Sequence, residues 1–557
     1  MQIVRISTDH VINMDDVVII TETLKYFNFE ELCIAERISP TFKSCVELAL
    51  HRSKCVDFGR MFTDSWTKIL GKIQAYCSGL RRLKNLYNVM PFMLWKKMNS
   101  VPPDTFIFED FKKNFLILLP SLQKLTCLEI DSIFIEMFGW ENALIFVENS
   151  HNLRQLSAYI SETKSSNHKL RESINKFIFS HSALTKLEIC QFRDYWIDLS
   201  CRNLTHFSLK SDGRMQSPEY EQLYALLDVN LNLESLDIGY VSHNNVQLIK
   251  KLMRLPKLKT LSLDVHHTIR HLEENSDLSH HRIINDLYFV SLQNIQVSCH
   301  SFESHAKFVA FLLARSPLLK ELSLKPLDGD LAFYRIVFDK FPLYDQIEIF
   351  TTCFKPAGKV QSFMYNELSK MVNLKYFVLP CFGFFDLPKV AELRKLKFLH
   401  WSAKDSTVLK MIRCRSSLEG IDLFDTQSVS PAAFEFILDQ CPNLRFVCVD
   451  FLHDDEKMRK LPLKAPKLQY LQLRDRFISR SRRMIDVDNL IYLVENLPNL
   501  CQLSIPGLVY ESFLQNEPIK RLCRQKRLLV IIDRHHRSRD DLINEWIHLS
   551  CKENPST

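Results

Sequence analysis

One short pattern, Leu-x-x-Leu-x-Leu, constrains what this chain can fold into more than any other feature. Strong copies run from Leu125 to Ile130, Leu184 to Ile189, Leu233 to Ile238, Leu258 to Leu263, Leu319 to Leu324, Leu468 to Leu473 and Leu500 to Ile505. Weaker copies start at Leu83, Leu153, Leu292, Tyr344, Leu396 and Leu528. From Leu125 to Leu528 the 16 starts recur about every 27 residues. The last two apolar positions of each copy are two apart, so both side chains point to one face of a short strand. Between the strands, VQLIKKLMRL (246–255) and AAFEFILDQC (432–441) carry apolar residues at helical spacing.

A strand–helix unit of this size cannot bury its own apolar face, so neighbours must stack into a continuous core. The period falls in the range of leucine-rich repeats. The expected fold class is therefore α/β: a leucine-rich-repeat solenoid, curved like a horseshoe, with parallel strands on the concave side and helices on the convex side. CRNL at 201 and CPNL at 441 place a cysteine ahead of the first Leu. In this the chain resembles the cysteine-containing class of these repeats, and the cysteines read as buried packing.

Composition narrows the function classes. The chain has 557 residues, more than one core holds, and its 46% hydrophobic and 25% charged residues suit a folded protein. Only 11 glycines leave little room for phosphate-cradling loops, and a net charge of +7 is small for general nucleic-acid binding. The first residues, MQIVRISTDHVIN, lack the apolar run of a signal peptide. No stretch approaches the roughly 18 apolar residues of a membrane span. The expectation is a cytoplasmic and/or nuclear protein with no nucleic-acid or membrane partner, its 16 cysteines reduced.

The beginning of the chain departs from the repeat. Within 15–50, Val17, Ile20 and Leu24 share one helical face, and Leu32 and Ala35 continue a second short helix. Ser39-Pro40 opens a third, Ser39 as N-cap and Pro40 in the first helical position. This compact three-helix unit resembles an F-box. Tyr26-Phe27 stands where that family has Tyr-Leu, Glu31-Leu32 where it has Asp-Leu, and Ile38-Ser39 where it has Val-Ser. Met14-Asp15 replaces the usual Leu-Pro, and Phe42 the usual Trp. The resemblance implies docking on the Skp-type adaptor of a cullin–RING ubiquitin ligase. Val17, Val18, Leu24, Phe27, Leu32, Ile38 and Phe42 are the candidate adaptor contacts.

A substrate site is expected on the concave face. The residue before the second Leu reads Tyr376, Phe398, Gly420, Phe446 and Tyr470 across five successive copies, with Phe350 and Phe424 beside them. Stacked aromatics of this kind serve as binding hot spots. Arg474 joins them as the first arginine of RDRFISRSRR, whose Arg476, Arg480, Arg482 and Arg483 fall in the following loop. The pairs His266-His267, His280-His281 and His535-His536 lack metal-ligand spacing, and no G-x-S-x-G, Walker or H-E-x-x-H motif occurs. No catalytic residue, metal or cofactor is expected.

The sequence thus reads as a non-catalytic substrate-recognition subunit of a Skp–cullin–F-box ubiquitin ligase. The alternative is an intracellular repeat scaffold or inhibitor with no ligase role. The expected organisation is an F-box-like unit at 10–52, a linking helical segment with a first irregular repeat at 53–118, the solenoid at 119–535, and a C-terminal capping helix and tail at 536–557.

Overall fold

The computed structural model describes residues 17–57, 61, 66–77, 79–84, 113, 124–130, 152–159, 183–190, 201–210, 217–243, 245–266, 287–327, 330–339, 341–352, 358–378, 396–402, 417–424, 430–450, 455–474, 487–506 and 516–533. The chain forms two compact units. The first comprises Met1–Leu128 with Ile133–Leu153, the second Glu129–Ser132 with Arg154–Thr557.

The first unit begins with helices α1 (Val17–Leu24), α2 (Phe29–Ala35) and α3 (Pro40–Arg52), followed by β1 (Cys55–Asp57), α4 (Trp66–Tyr76) and β2 (Arg82–Lys84). The α2 start is a full capping box: Glu31 N–H donates to Asn28 Oδ1 at 2.9 Å, and Asn28 N–H to Glu31 Oε2 at 2.6 Å. Ser39 caps α3 with Pro40 at its first turn, as its sequence predicts. β1 and β2 pair in parallel, Val56 opposite Leu83, and Arg82 meets Cys127 at the start of β3 (Cys127–Ile130). That register puts Leu80, not Leu83, level with Leu125. The weak copy therefore starts three residues earlier than the spacing suggests, and strand pairing reaches back to Cys55 inside the segment expected to be a linker.

The second unit is a parallel sheet. Its strands are β4 (Gln155–Tyr159), β5 (Lys186–Cys190), β6 (His206–Lys210), β7 (Ser235–Ser242), β8 (Thr260–His266), β9 (Asn294–Cys299), β10 (Glu321–Pro326) and β11 (Ile349–Thr352). They continue as β12 (Tyr376–Val378), β13 (Phe398–Ser402), β14 (Gly420–Phe424), β15 (Phe446–Asp450), β16 (Tyr470–Arg474), β17 (Gln502–Pro506) and β18 (Leu529–Asp533). Each pairs in parallel with its sequence neighbour. Consecutive parallel strands need crossovers of one hand, which sets the connecting helices on one face and leaves the other helix-free among the described residues. This is the α/β leucine-rich-repeat arrangement that the spacing predicts.

One repeat shows why the segments fold as they do. Helix α5 (Ser217–Val229) precedes β7, and α6 (Val246–Met253) follows it. Asn245 caps α6 by accepting the Leu248 N–H at 2.9 Å. Leu248, Ile249, Leu252 and Met253 face the core, and Lys250 and Lys251 lie in the last turn, where the helix dipole favours cations. Lys251 also reaches back to Asp228 of α5. Register is fixed at the strand starts: the Glu234 carbonyl accepts both the Lys259 N–H at 2.8 Å and the Thr260 N–H at 3.0 Å, and the same double acceptance recurs at Lys259, Gln293 and Lys320.

A buried asparagine ties two repeats together. Asn230, 1% exposed just after α5, accepts the Leu204 N–H at 2.8 Å and donates to the carbonyls of Cys201 at 2.8 Å and Leu226 at 2.9 Å. Asn230→Ala leaves the buried Leu204 N–H without its acceptor. It is expected to cost about 2–3 kcal/mol, seen as faster amide exchange in β6 and β7.

Two copies shift register. Ile349 lies opposite Tyr376 and Phe350 opposite Phe377, so the copy written as starting at Tyr344 starts at Ile347. At the far end Val530 lies opposite Leu503, a one-residue offset from the Leu528 start, with Arg527 in the left-handed region at φ 52. No helix among the described residues is long and apolar enough to cross a membrane.

Candidate functional site

In the three-helix unit the seven candidate adaptor residues divide. Leu24, Leu32 and Phe42 are buried with Ile20, Phe29, Val46 and Leu50 and form the core that holds the helices together. Phe27 is half-buried. Val17, Val18 and Ile38 are exposed, joined by Ile19, Tyr26 and Ile34, which sequence reasoning left out. Most of the exposed apolar set therefore sits on α1, α2 and the turns after them, with Leu48 exposed on α3. Helical periodicity picked the inward-facing residues because the same spacing marks any buried stripe. Burial pushes the Cys33 thiol up to about 11 and the Cys77 thiol up to about 12, so both are protonated packing groups at neutral pH.

In the second unit the aromatic ladder exists, in register: Tyr376 opposite Phe398, Phe398 opposite Gly420, Gly420 opposite Phe446, and Phe446 opposite Tyr470. It is not an exposed surface. Tyr376, Phe398 and Phe446 form a buried cluster with Ile349, Val378 and Cys448, against which the half-buried Tyr470 packs. Phe398 meets Phe446 edge to face at 5.8 Å. Phe350 lies on the helix side instead: after the three-residue shift it fills a Leu position and stacks on Phe377 at 6.1 Å. The Phe424 side chain lies outside the described residues, as do Arg476, Arg480, Arg482, Arg483, Met14 and Asp15 and five of the six paired histidines, with the His266 side chain.

Arg474 is also enclosed. Its guanidinium bonds Asp422, two strands away on β14, and neither is solvent-exposed. Between them the Cys448 thiol donates to Gln472 Oε1 at 3.1 Å. Arg474 thus serves an internal carboxylate, not a ligand phosphate or carboxylate. Among the described side chains from β11 to β16 the helix-free face is accordingly closed up to the half-buried Tyr470, with every residue of β11 and β12 buried.

From β4 to β10 the same face is open. On β9 and β10 half-buried and buried residues alternate without a break. Towards β4 its polar groups are used internally. Ser157 donates to Glu188 at 2.7 Å, with Lys186 on the other carboxylate oxygen at 2.9 Å. Ser208 donates to Asp237 at 3.1 Å, and Lys210 pairs with the same oxygen at 3.0 Å. Towards β10 the face carries Thr260, Ser262, Asn294, Gln296, Glu321 and Ser323, and beyond them a row of Asp264, Ser298 and Lys325. Burial first, then the neighbouring Glu348 carboxylate, pushes the Glu321 carboxyl up to about 7. This strip was readable in the sequence as a run of Ser, Thr, Asn and Gln at the x positions of three successive copies. Among the described residues no group of three or more His, Cys, Asp or Glu could hold a metal ion.

No protein-family profile and no curated protein sequence matches the chain. Among solved structures it is similar to a chain of the yeast Rad7–Elc1 complex, with 15% identity and a TM-score of 0.30 over 82% of this chain and 96% of that one. It is also similar to an internalin (InlF) of Listeria monocytogenes, with 13% identity and a TM-score of 0.24 over 69% and 88% of the two chains. A third similar structure is the leucine-rich repeat-containing protein LegL7 of Legionella pneumophila, with 14% identity and a TM-score of 0.31 over 52% and 90%.

Proposed function

We propose that the chain is a protein-interaction subunit that presents a substrate to a Skp–cullin–F-box ubiquitin ligase. In this reading the three-helix unit docks on the Skp-type adaptor and the repeat unit holds a protein substrate. Ubiquitin transfer belongs to partner subunits, and this chain contributes proximity. The observation that carries the reading is the exposed apolar set Val17, Val18, Ile19, Tyr26, Ile34 and Ile38 on a unit that resembles an F-box. Apolar side chains gathered this way suit the apolar groove of a partner.

The test is co-purification with the adaptor. The intact chain is expected to associate, and the Ile34→Asp/Ile38→Asp double variant to lose association at least tenfold, since each substitution sets a charge in a dry interface (about 1.4 kcal/mol per tenfold). Both positions are about half exposed, so the thermal melt of the unit should not move. If the intact chain fails to associate, the ligase reading falls.

A further inference from the structure

The open part of the helix-free face holds a second, sharper signal. On β8, β9 and β10 the side chains of Thr260, Ser262, Asn294, Gln296, Ser298 and Ser323 are half-buried. Among the described residues none of them makes a side-chain hydrogen bond, in contrast to Ser157 and Ser208 further up the same face. A half-buried hydroxyl or amide with no partner is poorly solvated and gains from a ligand that supplies one. Glu321 stands at the end of this strip. Among the described residues its side chain makes no ion pair and no hydrogen bond, although Glu348, next to it, is held by Lys375 at 2.8 Å. Beyond Glu321 the face turns apolar at Ile349, its register partner.

The chemistry of the strip selects its occupant. Neutral donors and acceptors in rows match the neutral N–H and C=O groups of an extended polypeptide. The row spacing is that of a pleated strand, roughly 6–7 Å between same-face residues. A lipid surface would need apolar side chains, and a nucleic acid would need clustered cations; the six neutral residues with the single Lys325 offer neither. Asp264 and Lys325, which share the row of Ser298 at the other end of the strip, are both engaged, so Glu321 is the carboxyl of these three strands left to call for a cation. We propose that the helix-free face of β8–β10 receives an extended, uncharged-polar peptide segment of the substrate, with one lysine or arginine of that segment pairing with Glu321. This rests on the receptor reading above and names its substrate class.

Titration of Glu321 adds a signature. The groups facing it are Asn294 on β9, Ile349 and Glu348 on β11 and its approach, and Lys375, already paired with Glu348. With a carboxyl that titrates at about 7, the site is mostly ionised at pH 8 and mostly protonated at pH 6. A cationic side chain binds the ionised form, so affinity rises with pH across that window.

The full chain can be panned against a phage-displayed random dodecapeptide library at pH 8. Enriched peptides are expected to carry a lysine or arginine among Ser, Thr, Asn, Gln and Gly. They should bind roughly tenfold more weakly to Glu321→Gln, as loss of a charge-assisted bond predicts, and several-fold more weakly at pH 6. Ser262→Leu should weaken them too, and Glu321→Gln, being isosteric, keeps the test valid if that bulkier variant misfolds. No enrichment, enriched peptides without a basic residue, or undiminished binding to Glu321→Gln overturns the proposal. So does capture on a glycan array in place of peptides. A negative panning result with intact adaptor association removes this inference alone; positive panning without adaptor association removes the ligase reading alone.

Discussion

Replacing Asp422 by alanine is expected to destabilise the repeats around β14–β16 by about 3–5 kcal/mol, the largest single effect anticipated in this chain. Asp422 is 0% exposed and its partner Arg474 6%. Removing the carboxylate leaves a guanidinium in a dry setting without its counter-charge, and that uncompensated charge is what costs. The pair itself is a different matter: its Coulomb attraction only offsets the desolvation of both ions. An Asp422→Leu/Arg474→Met double variant is therefore expected to recover most of the loss. Repeat arrays open in segments, so amide exchange resolved by peptide is the suitable readout, with protection falling in β14–β16 and holding in β4–β7. A double variant as unstable as Asp422→Ala would show that the pair contributes more than mutual neutralisation.

Phe398→Ala should cost nearly as much, about 3–5 kcal/mol, because it empties a site in a packed cluster. The ring is 0% exposed, between Tyr376 on β12 and Phe446, two strands away on β15. Loss of the edge-to-face contact adds about 0.5–1.5 kcal/mol to the transfer and cavity costs. The result separates two roles for the ladder. A binding hot spot would lose affinity with its melt unchanged; a core residue loses stability first. The second outcome is expected, and a variant that melts like the intact chain would return these aromatics to the surface.

The repeat was legible in the sequence because Leu-x-x-Leu-x-Leu encodes two things together, a strand and the face it buries. Where it misled, the cause was local. Tyr344, Ile347 and Phe350 are spaced by three, as are Leu80, Leu83 and Leu86, and either phase satisfies the pattern; only pairing to the neighbouring strands decides. The candidate site was less legible for a different reason. Strand periodicity says which face a residue takes, not whether that face meets water. Tyr376 and Thr260 hold equivalent x positions, yet one is 2% exposed and the other half-buried, because the side chains around Tyr376 close over one another and those around Thr260 are too short to do so. In the helical unit the same gap appears as Leu32 inside and Ile34 outside, two residues apart on a single helix turn.

The Asp422–Arg474 pair skips a strand, and so it counts. Contacts that link each strand only to the next, such as Ser157 to Glu188, remain satisfied if a whole repeat is inserted or lost elsewhere in the array. A pair that reaches across β15 tolerates one repeat between its partners, neither none nor two. The sheet can therefore lengthen or shorten elsewhere over evolutionary time while the span from β14 to β16 keeps its number, so diversity in what the chain recognises should arise by changing the count of repeats outside that span.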